Sequence, residues 1–195
     1  MDFLNGKRVG FALTGSFCTL AQVVPQVARL ATAGAEVIPI LSETVNETDT
    51  RFGTAEEWRK KLQEATGNTP LVGVKETEPF GPKALLDLLV VAPCTGNTLG
   101  KLANGITDTG VTMAVKAHLR NQRPVVIAVS TNDGLGGAAK NIGALLNMKH
   151  VYFVPFGQDD PIGKPRSLVA QMSLVFDTAA LALNGEQIQP IFQNK

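Results

Sequence analysis

The stretch Leu88-Leu-Val-Val-Ala-Pro-Cys-Thr-Gly-Asn-Thr-Leu-Gly-Lys-Leu-Ala-Asn-Gly-Ile-Thr-Asp108 constrains the fold more than any other part of this sequence. Its apolar run, residues 88–92, shows no alternation of polar and apolar positions, which is the pattern of a strand covered on both faces of a parallel sheet. The run stops at Pro93 and gives way to small polar residues that open a helix. Thr95, Asn97 and Thr98 therefore fall at the carboxyl end of a buried strand, where open α/β sheets bind their ligands. For Thr95 or Thr98 taken alone, a helix N-cap explains the residue equally well.

Strand and helix patterns alternate along the rest of the chain. Residues 8–13 read as a first strand that ends in the turn Thr14-Gly15-Ser16, and residues 20–33 carry apolar side chains at helical spacing, closed by Gly34. Residues 36–41 form a second, β-branched strand, and the short crossover implies a right-handed parallel unit. Residues 54–65 read as an amphipathic helix with Thr54 as N-cap and Trp58 and Leu62 on one face. Pro79, Gly81 and Pro82 mark a loop before a short helix near residues 83–86. Helices are expected at 109–120 and 138–146, and strands at 124–129 and, as the last of them, 151–154. Residues 156–166, rich in Pro and Gly, read as a surface loop before a helix over 167–183, and the tail 184–195 carries no regular pattern. The expectation is one domain over residues 1–195, with its core at about 7–183. Its class is α/β: a doubly wound, Rossmann-like or flavodoxin-like, mostly parallel sheet with helices on both faces in three layers.

Composition narrows the function. The 195 residues carry 18 basic and 17 acidic side chains, a net charge of +1, so there is no broad electrostatic footprint for nucleic acid or an anionic membrane. No apolar run approaches the ~20 residues of a membrane span, and the first residues lack a signal-peptide pattern. The two cysteines, Cys18 and Cys94, are far apart and suggest a reducing compartment, so a cytoplasmic protein is expected.

The first strand-turn-helix unit offers Gly15 and Ser16 to a phosphate at a helix N-terminus, where backbone N–H groups and the helix dipole favour an anion. The spacing is not Gly-x-Gly-x-x-Gly, so a mononucleotide such as FMN fits better than a dinucleotide. Ser42, at the end of the neighbouring second strand, can reach the same phosphate, although Gly15 also serves simply to make the turn. Cys18 and Cys94 flank this region, but no neighbouring His or basic pair lowers a thiol pKa, and a small buried apolar Cys is the simpler reading of each. Asp159-Asp160 lacks a third ligand, so no metal site is assigned. His118 and His150 read as packed or surface histidines.

The loop Pro93-Cys-Thr-Gly-Asn-Thr98 and the helix Lys101-Leu-Ala-Asn-Gly-Ile-Thr-Asp108 closely resemble the Pro-Ala-Ser-Ala-Asn-Thr loop and Lys-Met-Ala-Asn-Gly-Ile-Ala-Asp helix of the flavoprotein family of homo-oligomeric flavin-containing cysteine decarboxylases. Thr14-Gly15-Ser16 and Leu41-Ser42-Glu43 fit two further segments of that family in the right order, and the resemblance runs from about residue 7 to 148. It implies that Gly15, Ser16 and Ser42 hold an FMN phosphate. It places Pro93, Cys94, Thr95, Asn97, Thr98 and Ser130 around the rest of the flavin. Ser130-Thr-Asn-Asp-Gly-Leu-Gly-Gly137 resembles the position of the family's substrate clasp, but only Asn132 of Pro-x-Met-Asn-x-x-Met-Trp is present, and Asn132 becomes the candidate substrate contact. The His used by the family's decarboxylases has no counterpart.

The altered clasp, together with segments 154–161 and 164–168, is similar to a narrower branch of the family. That branch implies one subunit of a two-subunit oxidoreductase in the mother-cell cytoplasm of a sporulating bacterium, with a small dicarboxylate as substrate and NAD(P) on the partner subunit. The family also implies a homo-oligomer, a trimer or a multiple of it. The expected helix 167–183, apolar nearly all round, points to an intersubunit contact as well.

Overall fold

β1 (Arg8–Leu13), β2 (Glu36–Leu41), β3 (Leu71–Val72), β4 (Leu88–Cys94), β5 (Val125–Thr131) and β6 (Val151–Phe153) pair in parallel at the centre of the computed structural model, which describes residues 3–193. Residues 194–195 of the expected tail lie outside the described residues, as do the first two. Every residue of β4 is buried, as its unbroken apolar run requires, and β5 is buried through Ser130. The strand order is β3-β2-β1-β4-β5, so the chain reverses direction between β1 and β4, the kind of switch point at which doubly wound sheets open a crevice.

Helices cover both faces. α1 (Phe17–Thr32) buries Leu20, Val23, Val27 and Leu30, spaced three and four apart. Beyond a one-turn α2 (Glu43–Glu47), α3 (Ala55–Thr66) starts at a capping box of Thr54 and Glu57 and buries Trp58 and Leu62, as its pattern predicts. α1 packs against both α3 and α8 (Val175–Leu183). On the other face α6 (Gly110–Leu119) packs against α4 (Val74–Thr77) and α5 (Gly96–Ala103), and α5 in turn packs against α7 (Ala139–Leu146).

Two expected helices are corrected. Residues 83–86 are not helical: a turn spans 81–84, with Ala84 at φ 46, outside the right-handed helical region. The helical turns come earlier, in α4 and the 3-10 segment Glu78–Phe80. The carbonyls of Ala84 and Leu86 accept from Arg123.

The segment 167–183 is not one helix, and β6 is not the last strand. β7 (Phe156–Gly157) and β8 (Leu168–Ala170) follow, then a 3-10 turn at Met172–Leu174, and only then α8. β5 is longer than β6, so its upper half is left unpaired after Ile127 meets Phe153. β8 takes that edge in antiparallel register, with Ser130 opposite Val169 and Thr131 opposite Leu168. A short apolar run serves strand or helix alike, and here an open sheet edge decides. The pairing also uses up the apolar surplus: Leu168, Ala170 and Met172 are buried, and Phe176 packs under the Arg29 guanidinium at 4.1 Å.

Candidate functional site

A cleft of about 1160 Å³ opens over the carboxyl ends of β1, β4 and β5. Its floor is held by one hydroxyl. Thr14, buried at the end of β1, donates from Oγ1 to Pro93 O at 2.7 Å and accepts the Thr95 N–H at 3.0 Å, so residues 79 and 81 positions apart become one rigid rim. The β4–β5 register shifts between Val91 and Cys94, where Pro93 has no N–H to contribute to the ladder.

Gly15 and Ser16 enter the cleft from β1. Ser16 is the N-cap residue of α1, yet its side chain does not cap the helix; its Oγ lies 2.7 Å from Ser130 Oγ at the end of β5 in a shared hydrogen bond. The first N–H groups of α1 thus have no side-chain cap beside a pair of hydroxyls, which is the donor set an anion needs. Thr95 lines the cleft and also caps α5, accepting the Thr98 N–H at 3.3 Å, so the capping explanation applies to it in full. Asn97 and Asn132 line the cleft, exposed, with no hydrogen-bond partner among the described residues.

Of the remaining sequence candidates, Ser42, Pro93, Cys94 and Thr98 lie outside the lining. Ser42 caps α2 by accepting the Val45 N–H at 3.3 Å. Pro93 and Cys94 are buried in β4, where burial pushes the Cys94 thiol far up, and Thr98 is buried against Thr95. Cys18 is exposed and lines the cleft. Both histidines belong to the opposite end of the sheet. His118, 1% exposed, bonds Pro124 O through Nε2 at 3.0 Å, and the His150 carbonyl accepts from Val125 at the start of β5. Asp160 accepts the Gly163 N–H and Asp159 faces Lys164 at 3.5 Å, so the adjacent acids hold a loop together.

Residues that sequence reading did not assign to the site complete the walls: Arg51 and Phe52 from the connection before α3, Asn141 from α7, and Lys164 and Arg166 from the connection before β8. Two basic side chains in an otherwise Pro- and Gly-rich loop were the available signal for the last pair. Nothing local marks Arg51. Glycines set the close approaches. A Cβ on Gly96 would stand 2.6 Å from Thr131 Oγ1, so only glycine lets α5 start against the end of β5.

A protein-family model described as "Flavoprotein" matches residues 2–168. The chain is 50% identical over 191 residues to the B subunit of dipicolinate synthase of Bacillus subtilis (strain 168), covering 98% of this chain and 96% of that protein. The crystal structure of the B subunit of dipicolinate synthase from Bacillus halodurans superimposes with a TM-score of 0.91 at 48% identity, with 98% of each chain covered. An FMN-dependent cysteine decarboxylase of thioviridamide biosynthesis shares the fold, with a TM-score of 0.66 at 24% identity over 92% of this chain and 99% of that one.

Proposed function

The chain belongs to the flavoprotein family, and from that premise we propose that it acts as the B-type subunit of a dipicolinate synthase, holding FMN. With a partner A-type subunit that carries NAD(P), it takes part in oxidising a dihydrodipicolinate-type precursor to dipicolinate during sporulation, in the mother-cell cytoplasm. The observation that carries the reading is the start of α1: no side chain caps it, and the Ser16–Ser130 hydroxyl pair stands beside it in the cleft. These groups suit a phosphate, which gains from N–H donors and the positive end of the helix dipole. The free amides of Asn97 and Asn132 offer both a donor and an acceptor to a flavin ring or a substrate. A cleft of about 1160 Å³ has room for a flavin and a small acid together. FMN, when bound, supplies a ring able to accept a hydride. The protein's own groups bind, orient and exclude water.

The reading extends to assembly as a homo-oligomer, a trimer or a multiple of it. Its support is no longer a helix over 167–183, but three exposed apolar side chains on the segments bordering the cleft: Phe52 at 43%, Leu135 at 52% and Ile162 at 95% exposure. The test is an absorption and fluorescence titration of the purified protein with FMN, followed by assay of dipicolinate formation with the A-type partner. Quenched, shifted flavin signals and activity dependent on both proteins are expected. A protein that takes up no FMN refutes the flavin part.

A second reading, a non-catalytic partner that keeps the fold and presents the substrate to the A-type protein, draws on the cleft itself, whose lining contains no His. It predicts dicarboxylate binding without flavin binding, and full activity of the A-type partner alone would exclude it. Decarboxylation of the cysteine-decarboxylase type has the least support, since Asn132 alone survives of the clasp; carbon dioxide release from a peptidyl cysteine would revive it.

A further inference from the structure

We infer that Arg166 and Arg51 bind the two carboxylates of a small planar dicarboxylate in the cleft; this rests on the reading above and names the residues that give that site its substrate class. Arg166 ends the connection between β7 and β8, which is braced from within. Gln158 Nε2 donates to Pro165 O at 2.8 Å, the Lys164 N–H donates to Asp160 O at 2.8 Å, and the Ser167 N–H donates to Lys164 O at 2.9 Å. The Leu135 N–H donates to Arg166 O at 2.9 Å, which fastens the connection to the loop between β5 and α7. The pairing of Leu168 with Thr131 then delivers Arg166 next to Asn132 and Asp133. A Cβ on Gly136 would stand 1.9 Å from Asp133 Oδ1 and 3.4 Å from Arg166 Nη1, so the missing side chain leaves room for the Asp133 carboxylate beside the guanidinium.

Arg51 comes from the turn Thr50–Gly53, closed by reciprocal backbone hydrogen bonds of 3.1 Å and seated against the Trp58 indole, 3.0 Å from an added Cβ on Gly53. Its guanidinium lies 4.9 Å from the centroid of the Phe52 ring, which also faces the cleft and offers an apolar surface to a planar ligand. The charges around the cleft do not cancel. Lys164 is paired with Asp159 at 3.5 Å, and the Asp133 carboxylate accepts the Gly137 N–H at 2.8 Å. Among the described residues, neither Arg51 nor Arg166 has a carboxylate within 4 Å. Arg51, Lys164 and Arg166 stand in the lining against Asp133 and Asp159, so the positive excess favours an anion, and the Arg51 and Arg166 guanidiniums, without an ion-pair partner, each present the planar fork that takes a carboxylate bidentately. The flavin phosphate is met at Ser16, by uncharged donors, and does not require them.

The experiment is calorimetric titration of the full chain and of the variants R51Q and R166Q with pyridine-2,6-dicarboxylate, pyridine-2-carboxylate and, separately, FMN. Both side chains are exposed, so thermal unfolding midpoints should match the parent. Each variant should lose about tenfold or more in dicarboxylate affinity, falling toward the value for the monocarboxylate, with FMN affinity unchanged. Unchanged dicarboxylate affinity in both variants overturns the assignment, and so does a loss that falls on FMN instead. If the unaltered chain binds no dicarboxylate, the proposed function fails, and this assignment with it.

Discussion

Ser16 shows at the scale of single residues what a sequence reveals and what it withholds, because its position was legible in the turn after the first strand while its partner was not. Its hydroxyl contacts Ser130, 114 residues away, and that bond turns it from the helix N–H groups it would otherwise cap. A Ser16→Asp variant therefore puts a carboxylate where the proposed flavin phosphate would sit. FMN affinity in a fluorescence titration should fall by about a hundredfold or more, since like charges a few ångströms apart repel strongly in a partly desolvated cleft. Stability should change little, because a carboxylate at a helix N-terminus is itself favourable by about 0.3–1 kcal/mol. Unaltered FMN affinity would move the phosphate elsewhere. Arg51 and Arg166 show the limit at this scale: each is an ordinary basic residue in sequence, and only the shared cleft gives them a common meaning.

Among the elements, β1 and β4 were legible because buried parallel strands need apolar side chains in succession, and the chain supplies such runs in few places. Their coupling was not, since it depends on Thr14, a residue that in sequence looks like any turn former. Removing its hydroxyl in Thr14→Val leaves the Thr95 N–H without its partner at the mouth of the site. We expect a loss of about 1–3 kcal/mol in urea denaturation, together with weaker FMN binding because the rim loosens. A loss of stability alone, with FMN affinity intact, would show that the tie serves the sheet and not the site. The segment 167–183 teaches the opposite lesson. Its apolar residues fit a helix by period, but the unpaired upper edge of β5 offers backbone hydrogen bonds that an isolated segment cannot see.

Taken as a whole molecule, the protein opens its cleft at the carboxyl end of the sheet and holds a buried titratable group, His118, near the other. Burial lowers the His118 pKa from 6.5 to about 4, against the hydrogen bond to Pro124, which favours the charged form. The unfolded chain therefore binds a proton below about pH 6.5 that the folded chain refuses until about pH 4, so stability rises with pH across that window and is fully present above it. On the order of 3 kcal/mol should be lost as pH falls from 6.5 to 4, read as a drop in urea midpoint. A His118→Gln variant should show a shallower slope over the same window; an unchanged slope would assign the effect to the carboxylates. Assembly belongs to this scale too. With Phe52, Leu135 and Ile162 exposed around the cleft, light scattering should report about three times the 20.7 kDa chain mass or a multiple of that. A monomer at micromolar concentration would refute the oligomer and leave the A-type partner to cover those side chains.

By itself the sequence determined the alternation of strands and helices, the order in which β1, β2 and β4 reach the cleft, and the small polar residues waiting there. These are local matters: hydrophobic period, N-caps such as Thr54 and Thr95, and turn residues such as Gly15 act within a few positions of one another. Tertiary structure alone decided which edge β8 would take, that Ser16 would face Ser130, and that Arg51 and Arg166 would share a cleft with residues far from them in the chain. Those outcomes depend on hydrogen-bonding groups and charges left unpaired once the core has formed, and such a remainder exists only after distant segments have met.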